Sequence, residues 1–327
     1  DGSLSTPTLG TSNVRFGVNA GNSIVSGGNY NVVVGDEAGT AITTGDDNTF
    51  IGYAAGDATT TGSFNTALGK NTFSTNTTGQ ENTAIGREAL FANTTGSNNV
   101  AVGQSSLVAN TTASNNTAVG YDCLRANTTG TRMTSVGARS GMQNTTGNYN
   151  AFFGYDSGES NTTGASNTFI GDSAGRETTT ASSNTAVGQS ALLANTTGTN
   201  NVAVGALALD ANTTANGNIA VGANSLGSNT TGASNVGIGH EALGANTTAN
   251  DNTAIGYGSL DANTTGASNT AVGFLSLSAN TTGAKNSAFG YGALDANTTA
   301  SFNNAFGYEA LGSNTTGDLN VAIGYEA

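Results

Sequence analysis

The sequence has very few of the residues from which active sites and disulfide frameworks are built. Its 327 residues include one cysteine, one histidine, one proline and no tryptophan, and only 9% are charged. A single cysteine cannot form an internal disulfide, and the isolation of the one histidine, His240, argues against a catalytic triad. We therefore expect no enzymatic activity and predict no cofactor.

Basic residues and long apolar runs are also scarce. Eight Lys and Arg accompany 21 Asp and Glu, which gives a formal net charge of −13. Nucleic acid is not an expected partner, because phosphate binding needs clustered Lys and Arg. No stretch approaches the roughly 18 apolar residues of a membrane helix, and residues 1–10 lack the basic and apolar regions of a signal peptide. We expect no membrane insertion by this segment.

Glycine, in contrast, is abundant and regularly spaced. The 48 glycines include an anchor glycine that recurs eighteen times at steps of 17 residues, from Gly35 to Gly324. Gly17 is one earlier member, displaced by a single inserted residue between Ile24 and Gly28. The unit is Asn-Thr-Ala-Val-Gly-x-x-Ala-Leu-x-Ala-Asn-Thr-Thr-Gly-x-x, and such a period is typical of a solenoid in which each coil stacks on the last.

Gly, Asn and Thr are poor helix formers and recur in every unit, which argues against a helical repeat. The sequence predicts an all-β solenoid with 17 residues per coil and two or more short strands in each coil. We predict a single solenoid of about 18 coils over residues 13–327, preceded by an irregular segment at residues 1–12. The chain stops partway through a coil, and we expect it to be a segment of a longer fibre.

Positions in a coil are numbered from the anchor glycine. Position −1 is Val, Ile, Leu or Phe in all eighteen units, which predicts a buried column. Positions −2 and +4 vary together, so that a large residue at one accompanies Gly at the other, and a small residue accompanies Leu. Because this exchange conserves volume, we expect the two positions to be in contact. The pairs are Phe50 with Gly56, Phe152 with Gly158, Phe169 with Gly175, and Ala186 with Leu192.

Successive strand residues point to opposite faces. The contact between positions −2 and +4, together with an apolar position −1, therefore predicts a strand that is packed on both faces. One thin coil can enclose only one core, so we expect a homo-oligomer in which another copy covers the second face.

Asparagine occupies position −4 in 17 of the 18 units, and a second asparagine leads the Asn-Thr-Thr triplets. Stacked asparagines form amide ladders that satisfy polar groups inside solenoids and fibrils. The triplets are also formal N-glycosylation sequons, so a densely glycosylated extracellular fibril stays open as an alternative. The asparagines of these sequons are Asn76, Asn93, Asn110, Asn127, Asn144, Asn161, Asn195, Asn212, Asn229, Asn246, Asn263, Asn280, Asn297 and Asn314.

Position +1 is variable and often aromatic. An aromatic column can stack on sugar rings, and packing between coils or chains is the competing interpretation. Its tyrosines are Tyr53, Tyr121, Tyr155, Tyr257, Tyr291, Tyr308 and Tyr325. His240 falls in the same column and is expected at the surface.

Three other features have simple structural interpretations. Cys123 lies in a column otherwise held by Ala, Ser or Thr, which indicates a small buried thiol. The carboxylates lie in turn columns and lack the Gly-Gly-x-Gly-x-Asp calcium repeat, so no metal is predicted. The Thr-Thr pairs raise ice binding as an alternative, but adjacent Thr side chains are expected on opposite faces of the chain.

Two known repeat types resemble this unit. Asn-Thr-Ala-Ile-Gly at residues 82–86 and Asn-Thr-Ala-Val-Gly at residues 116–120 are similar to the Asn-Ser-x-Ala-Ile-Gly motif of YadA-like head repeats, which occur in trimeric surface adhesins. The longer unit resembles the shaft repeats of phage tail fibres. The resemblance covers residues 13 to 327 and implies a homotrimeric β-roll or β-solenoid with no catalytic residues.

The function that follows is structural. We expect the shaft of an extended extracellular or virion fibre of the tail-fibre or adhesin type, located on a virion tail or cell surface. Its expected partners are copies of itself and a host-cell surface glycan or receptor. A glycosylated fibril, or an ice- or glycan-binding solenoid, is the alternative.

Overall fold

The computed structural model describes residues 9–327, whose secondary structure consists of short strands and turns. The chain divides into two compact units, one ending at Ala165 and the other comprising Ser166–Ala327. Each unit is a parallel β-solenoid with 17 residues per turn, and the two contain about 18 turns. The predicted all-β solenoid is confirmed.

Each coil contributes one strand of three residues, and each strand pairs in parallel with the next within its unit. The strands of the first unit are β1 (Val14–Phe16), β2 (Val32–Val34), β3 (Thr49–Ile51), β4 (Thr66–Leu68), β5 (Thr83–Ile85), β6 (Val100–Val102), β7 (Thr117–Val119), β8 (Thr134–Val136) and β9 (Ala151–Phe153). Those of the second unit are β10 (Thr168–Ile170), β11 (Thr185–Val187), β12 (Val202–Val204), β13 (Ile219–Val221), β14 (Val236–Ile238), β15 (Thr253–Ile255), β16 (Thr270–Val272), β17 (Ser287–Phe289), β18 (Asn304–Phe306) and β19 (Val321–Ile323).

The single inserted residue of the first coil is confirmed by the hydrogen-bond register. Val14 pairs with Val32, which lies 18 residues away, and the amide of Val25 likewise donates to the carbonyl of Thr43. At Asn29 the spacing returns to 17, because its amide donates to Oδ1 of Asp46. The extra residue therefore lies between Val25 and Asn29.

The prediction of two or more strands per coil was wrong. The Asn-Thr-Thr segment makes hydrogen bonds to the next coil but forms no strand. The amides of Thr94 and Thr95 both donate to the carbonyl of Thr111, at 2.8 and 3.4 Å. Two successive amides share one acceptor here, whereas the amides of a strand ladder have separate partners.

The prediction that position −1 is buried was also wrong. In a three-residue strand such as β5, the middle residue Ala84 is buried, and Thr83 and Ile85 on either side are only partly buried. Since strand side chains alternate between faces, position −2 enters the core and position −1 points outward. The outward column is apolar in every coil, and Phe289 and Phe306 are 36% and 40% exposed.

The structure places positions −2 and +4 against each other inside the coil. A Cβ added to Gly56 would lie 2.5 Å from the Phe50 ring, and one added to Gly175 would lie 2.5 Å from the Phe169 ring. For Gly158 and Phe152 the distance is 2.8 Å. Ala186 and Leu192, the small-with-large pair, are both fully buried.

Two asparagine ladders line the interior, as predicted. At position −4, Nδ2 of Asn99 donates to Oδ1 of Asn82 at 3.1 Å and to the carbonyl of Ala113 at 2.9 Å. At position +7, Nδ2 of Asn110 donates to Oδ1 of Asn93 at 2.9 Å and to the same Ala113 carbonyl at 3.1 Å. In coils that have both asparagines, the two ladders therefore meet at one carbonyl, which closes the coil across its interior.

Sharp turns use backbone conformations that L-residues seldom adopt. Glu88, Leu90 and Asn98, at positions +2, +4 and +12, have φ of 59°, 53° and 59°. These residues are held by coil-to-coil hydrogen bonds, such as that from the Leu90 amide to the Ser106 carbonyl at 2.9 Å. A left-handed non-glycine residue costs about 1–2 kcal/mol, so the stacked neighbours stabilise each coil's geometry.

Candidate functional site

The most distinctive surface of the second unit is a column of six aromatic rings at position +1 of consecutive coils. We call it the ring ladder. Neighbouring ring centroids lie 5.0–5.3 Å apart, with interplanar angles between 6° and 13°. Its members are His240, Tyr257, Phe274, Tyr291, Tyr308 and Tyr325.

The ring ladder follows from the repeat rather than from local strand preference. The anchor glycine separates position +1 from the strand, and a Cβ on Gly290 would collide with the carbonyl of Gly307 in the next coil. With φ of 139° at Gly290, only glycine suits this site. Every coil therefore turns in the same way, and the following side chains lie in register.

Beside the ring ladder is the outward column at position −1. In the same six coils it contains Ile238, Ile255, Val272, Phe289, Phe306 and Ile323, and the rings of Phe289 and Phe306 are stacked at 4.9 Å. The two columns flank the bare backbone of the anchor glycines. Both columns leave apolar side-chain surface exposed on the second unit.

The first-unit tyrosines of the same column have different neighbours. The guanidinium of Arg139 lies 5.9 Å from the ring centroid of Tyr155, and Lys70 Nζ lies 5.9 Å from that of Tyr53. Tyr53, Tyr121 and Tyr155 are all about half exposed, but their coil neighbours at position +1 are Asp, Lys, Gln or Ala rather than aromatic residues. The structure thus brings together only the second-unit members of the predicted aromatic column.

His240 lies at the surface, as expected, and its side chain is 45% exposed. Its ring stacks on Tyr257, and Nδ1 lies 3.5 Å from Oε2 of Glu241. Cys123 is buried and its thiol lies 3.2 Å from the carbonyl of Ser135. Burial raises the pKa of the Cys123 thiol to about 11, so the thiol is protonated at neutral pH. The predicted burial of this residue is confirmed.

The sequon asparagines lie inside the coils, and only Asn314, in the last complete coil, is partly buried rather than fully buried. In Asn246, Nδ2 donates to Oδ1 of Asn229 and to the carbonyl of Ala249. A glycan on this nitrogen would remove a ladder hydrogen and would need space that the interior lacks. The geometry therefore opposes glycosylation of the folded coil at Asn76, Asn93 and the equivalent positions.

The two threonines of a pair have different surroundings, and neither side chain is fully buried in the core. Thr94 is partly buried and its Oγ1 donates to the carbonyl of Thr111 at 3.1 Å, while Thr95 is exposed. The same arrangement recurs at Thr230 and Thr231. Each coil thus presents one exposed Thr from the pair, since the other hydroxyl donates to the neighbouring backbone.

A shallow acidic groove crosses the second unit, with a volume of about 460 Å³. Asp210 and Asp261 border it, and the intervening coils have Gly227 and Gly244 at the same position. Burial, together with the nearby carboxylate of Glu241, raises the pKa of Asp261. Within residues 9–327, no cluster of three or more His, Cys, Asp or Glu is arranged to hold a metal ion.

Asp261→Asn is expected to stabilise the second unit at pH 7 and to have no effect near pH 3. A raised carboxyl pKa means that the folded state binds a proton more tightly than the unfolded state. Ionised Asp261 therefore lowers stability as the pH rises from its ordinary pKa through the raised one. We expect a gain below about 1 kcal/mol, because the group is only partly buried. Urea unfolding at both pH values measures this gain in stability, and Asp251→Asn, at an exposed position, is the control. Equal effects of Asp261→Asn at both pH values would contradict a raised pKa of Asp261.

No protein-family model matches the chain, and no curated protein shows significant sequence similarity to it. In the part of the chain that the structure describes, no helix has the length and apolar character needed to cross a membrane.

Proposed function

We propose that the chain is the structural shaft of an extended extracellular or virion fibre and that it assembles with copies of itself. The outward column at position −1 carries this proposal. It is Val, Ile, Leu or Phe in every coil, yet it points away from the coil's own core and several members are more than a third exposed. An apolar side chain that recurs in every coil and stays partly exposed is expected to be covered by another surface.

A second copy of the chain suits this surface because it has the same repeat. Two solenoids with equal coil spacing can match apolar residues coil by coil without accumulating a mismatch. Covering the exposed part of one such side chain contributes about 1 kcal/mol. Association costs roughly 4–15 kcal/mol, so repetition over many coils is what makes self-assembly favourable. A homotrimer is the form that the resemblance to YadA-like heads implies.

The shaft interpretation is also supported by the chemistry of the interior. Each coil is held to the next by amide ladders and backbone hydrogen bonds, and the core needs only a few apolar residues per coil. Such an architecture displays a surface repeatedly rather than building a single pocket. We propose that a host-cell surface glycan or receptor binds the exposed ring ladder, on a virion tail or cell surface.

Charge placed in the outward column is expected to separate the copies. The variant Ile238→Lys with Ile255→Lys should shift the protein from a multi-chain species to single chains of 32.1 kDa, measured by light scattering. Thr248→Lys with Thr265→Lys is the matched control, because it adds the same charges in the same two coils at exposed positions. A parent protein that is already a single chain, or equal behaviour of the two variants, would refute the assembly.

A further inference from the structure

Three tyrosines of the ring ladder stand in consecutive coils. The ring centroids of Tyr291 and Tyr308 lie 5.0 Å apart at an interplanar angle of 6°, and those of Tyr308 and Tyr325 lie 5.0 Å apart at 8°. Tyr257 is separated from this triplet by Phe274, which stacks between Tyr257 and Tyr291. In the ring ladder, phenol therefore stacks on phenol only among Tyr291, Tyr308 and Tyr325.

We propose that Tyr291, Tyr308 and Tyr325 form a site of oxidative dityrosine crosslinking between neighbouring coils of one chain. The co-reactant is a one-electron oxidant. Each of two tyrosines loses one electron to the oxidant and its phenolic proton to a base, which leaves two phenoxyl radicals. These couple through ring carbons ortho to the oxygens, and the two ring hydrogens move to the oxygens as aromaticity returns. The net change is one new carbon–carbon bond and the loss of two electrons and two protons.

Proton acceptors stand beside two of the three phenols. The carboxylate of Glu309 interacts with the hydroxyl of Tyr308, and that of Glu326 interacts with the hydroxyl of Tyr325. These interactions raise the pKa of both tyrosines, because the carboxylate stabilises the protonated phenol and disfavours a second negative charge. The same carboxylate can accept the phenolic proton when the electron leaves. Oxidation therefore does not require a free phenolate.

The backbone holds the reacting groups together. Tyr291 and Tyr308 are 47% and 41% exposed, so a small oxidant can reach the rings and the side chains can tilt toward each other. Their coils are tied by backbone hydrogen bonds, such as that from the Glu309 amide to the Tyr291 carbonyl at 2.8 Å. Two tyrosyl radicals held side by side couple in a unimolecular step. This favours coupling within one chain over coupling between radicals on two chains.

Other exposed tyrosines lack this arrangement. The hydroxyl of Tyr149 accepts a hydrogen bond from Arg132, and that of Tyr155 accepts one from Arg139. A cation beside a phenol disfavours loss of an electron from the ring, and the coil neighbours of Tyr155 at position +1 are not tyrosines. Tyr155 is therefore a suitable control, because it occupies the same column with comparable exposure.

The test exposes dilute protein to light-excited tris(bipyridine)ruthenium, with persulfate as the terminal electron acceptor. Dityrosine fluorescence gives the yield, and peptide mapping by mass spectrometry locates the crosslink. In the parent we expect crosslinked peptides that join Tyr291 to Tyr308 or Tyr308 to Tyr325, with the loss of two hydrogens per link. Tyr308→Phe keeps a ring in the stack but removes the central phenol, and should reduce the fluorescence at least several-fold. Tyr155→Phe should leave it unchanged.

Unchanged yield in Tyr308→Phe, or crosslinks that map mainly between chains or to other tyrosines, would overturn the proposal. Unaltered circular dichroism and thermal unfolding of Tyr308→Phe show that the coil is intact, as expected for a surface phenol-to-phenyl change. The proposal depends only on coil register, so it stands or fails independently of self-assembly and attachment.

Discussion

Asn246→Asp is expected to destabilise the second unit by about 3–5 kcal/mol at pH 7 and to recover much of that loss near pH 4. Asn246 is fully buried in the ladder at position +7. Its Nδ2 donates to Oδ1 of Asn229 at 2.9 Å and to the carbonyl of Ala249 at 3.2 Å. Aspartate puts an oxygen in place of this nitrogen, so two hydrogen bonds become contacts between acceptors.

The pH dependence follows from the same contacts. Burial and the two facing oxygens disfavour the ionised carboxyl group, so its pKa in the folded state lies above that in the unfolded state. Stability is then greatest below the unfolded pKa and is lost as the pH rises through the folded one. When protonated, the carboxyl group donates one hydrogen bond of the two that Asn246 makes, and Oδ1 can still accept from Asn263 as it does now at 3.0 Å.

Hydrogen exchange is a suitable measurement because solenoids open locally as well as globally. Protection of the Thr247 amide, which donates to Thr264 in the next coil, reports on the altered coil. The matched control is Asn200→Asp, which makes the same chemical change at an exposed residue and should cost less than about 0.5 kcal/mol. Equal losses in both variants, or a loss in Asn246→Asp that does not depend on pH, would contradict the ladder's role.

The period and the two ladders could be predicted because they depend on features that a sequence displays directly. A 17-residue step repeated without insertion leaves few architectures, and asparagines in fixed columns have few ways to satisfy their amides inside a coil. The inserted residue near Val25 was also visible from spacing alone. Each of these inferences needs only which residues recur, and not which way they point.

The sequence did not reveal which side chains of the strand point into the core and which point outward. The apolar residue at position −1 is as consistently hydrophobic as a core residue, but the strand is three residues long and the alternate face holds Ala84 and its equivalents. The small inward residue leaves room for position +4, which reaches the core through a left-handed turn at residues such as Leu90. Leucine normally avoids that conformation, so local sequence preferences do not predict the turn.

Contacts between coils are a second feature that could not be predicted from the sequence. A Cβ on Gly141 would lie 2.7 Å from Phe152 and 2.8 Å from Leu124, which belong to the following and the preceding coils. A correlation between two positions of the same 17-residue repeat cannot show contacts with residues of other coils. The ring ladder also depends on contacts between coils. Seven tyrosines share the column, but rings stack only where consecutive coils all have an aromatic residue there. The predicted column was correct as a position, and its continuity is a property of the second unit.

Leu192→Gly is expected to cost about 2–4 kcal/mol, no more than Leu192→Ala. Leu192 is fully buried at position +4, and either substitution leaves a cavity. Glycine ordinarily lowers stability further than alanine, but Leu192 has φ of 56°. In that conformation glycine avoids the strain of an L-residue, worth about 1–2 kcal/mol. Urea unfolding of the two variants measures the comparison, and a much less stable glycine variant would contradict it.

Adding Ala186→Phe to Leu192→Gly is expected to restore about half of the lost stability. In the coil of Phe169 and Gly175, the ring occupies the space where a Cβ on the glycine would lie. Phenylalanine at position 186 can fill the cavity left by Leu192 in the same manner, whereas alone it should overpack the coil by about 1–3 kcal/mol. The double-mutant cycle should therefore give a favourable coupling of at least about 2 kcal/mol. Ala254→Phe, several coils away, is the control and should simply add its own cost to that of Leu192→Gly; additivity at Ala186 as well would mean that positions −2 and +4 do not exchange volume.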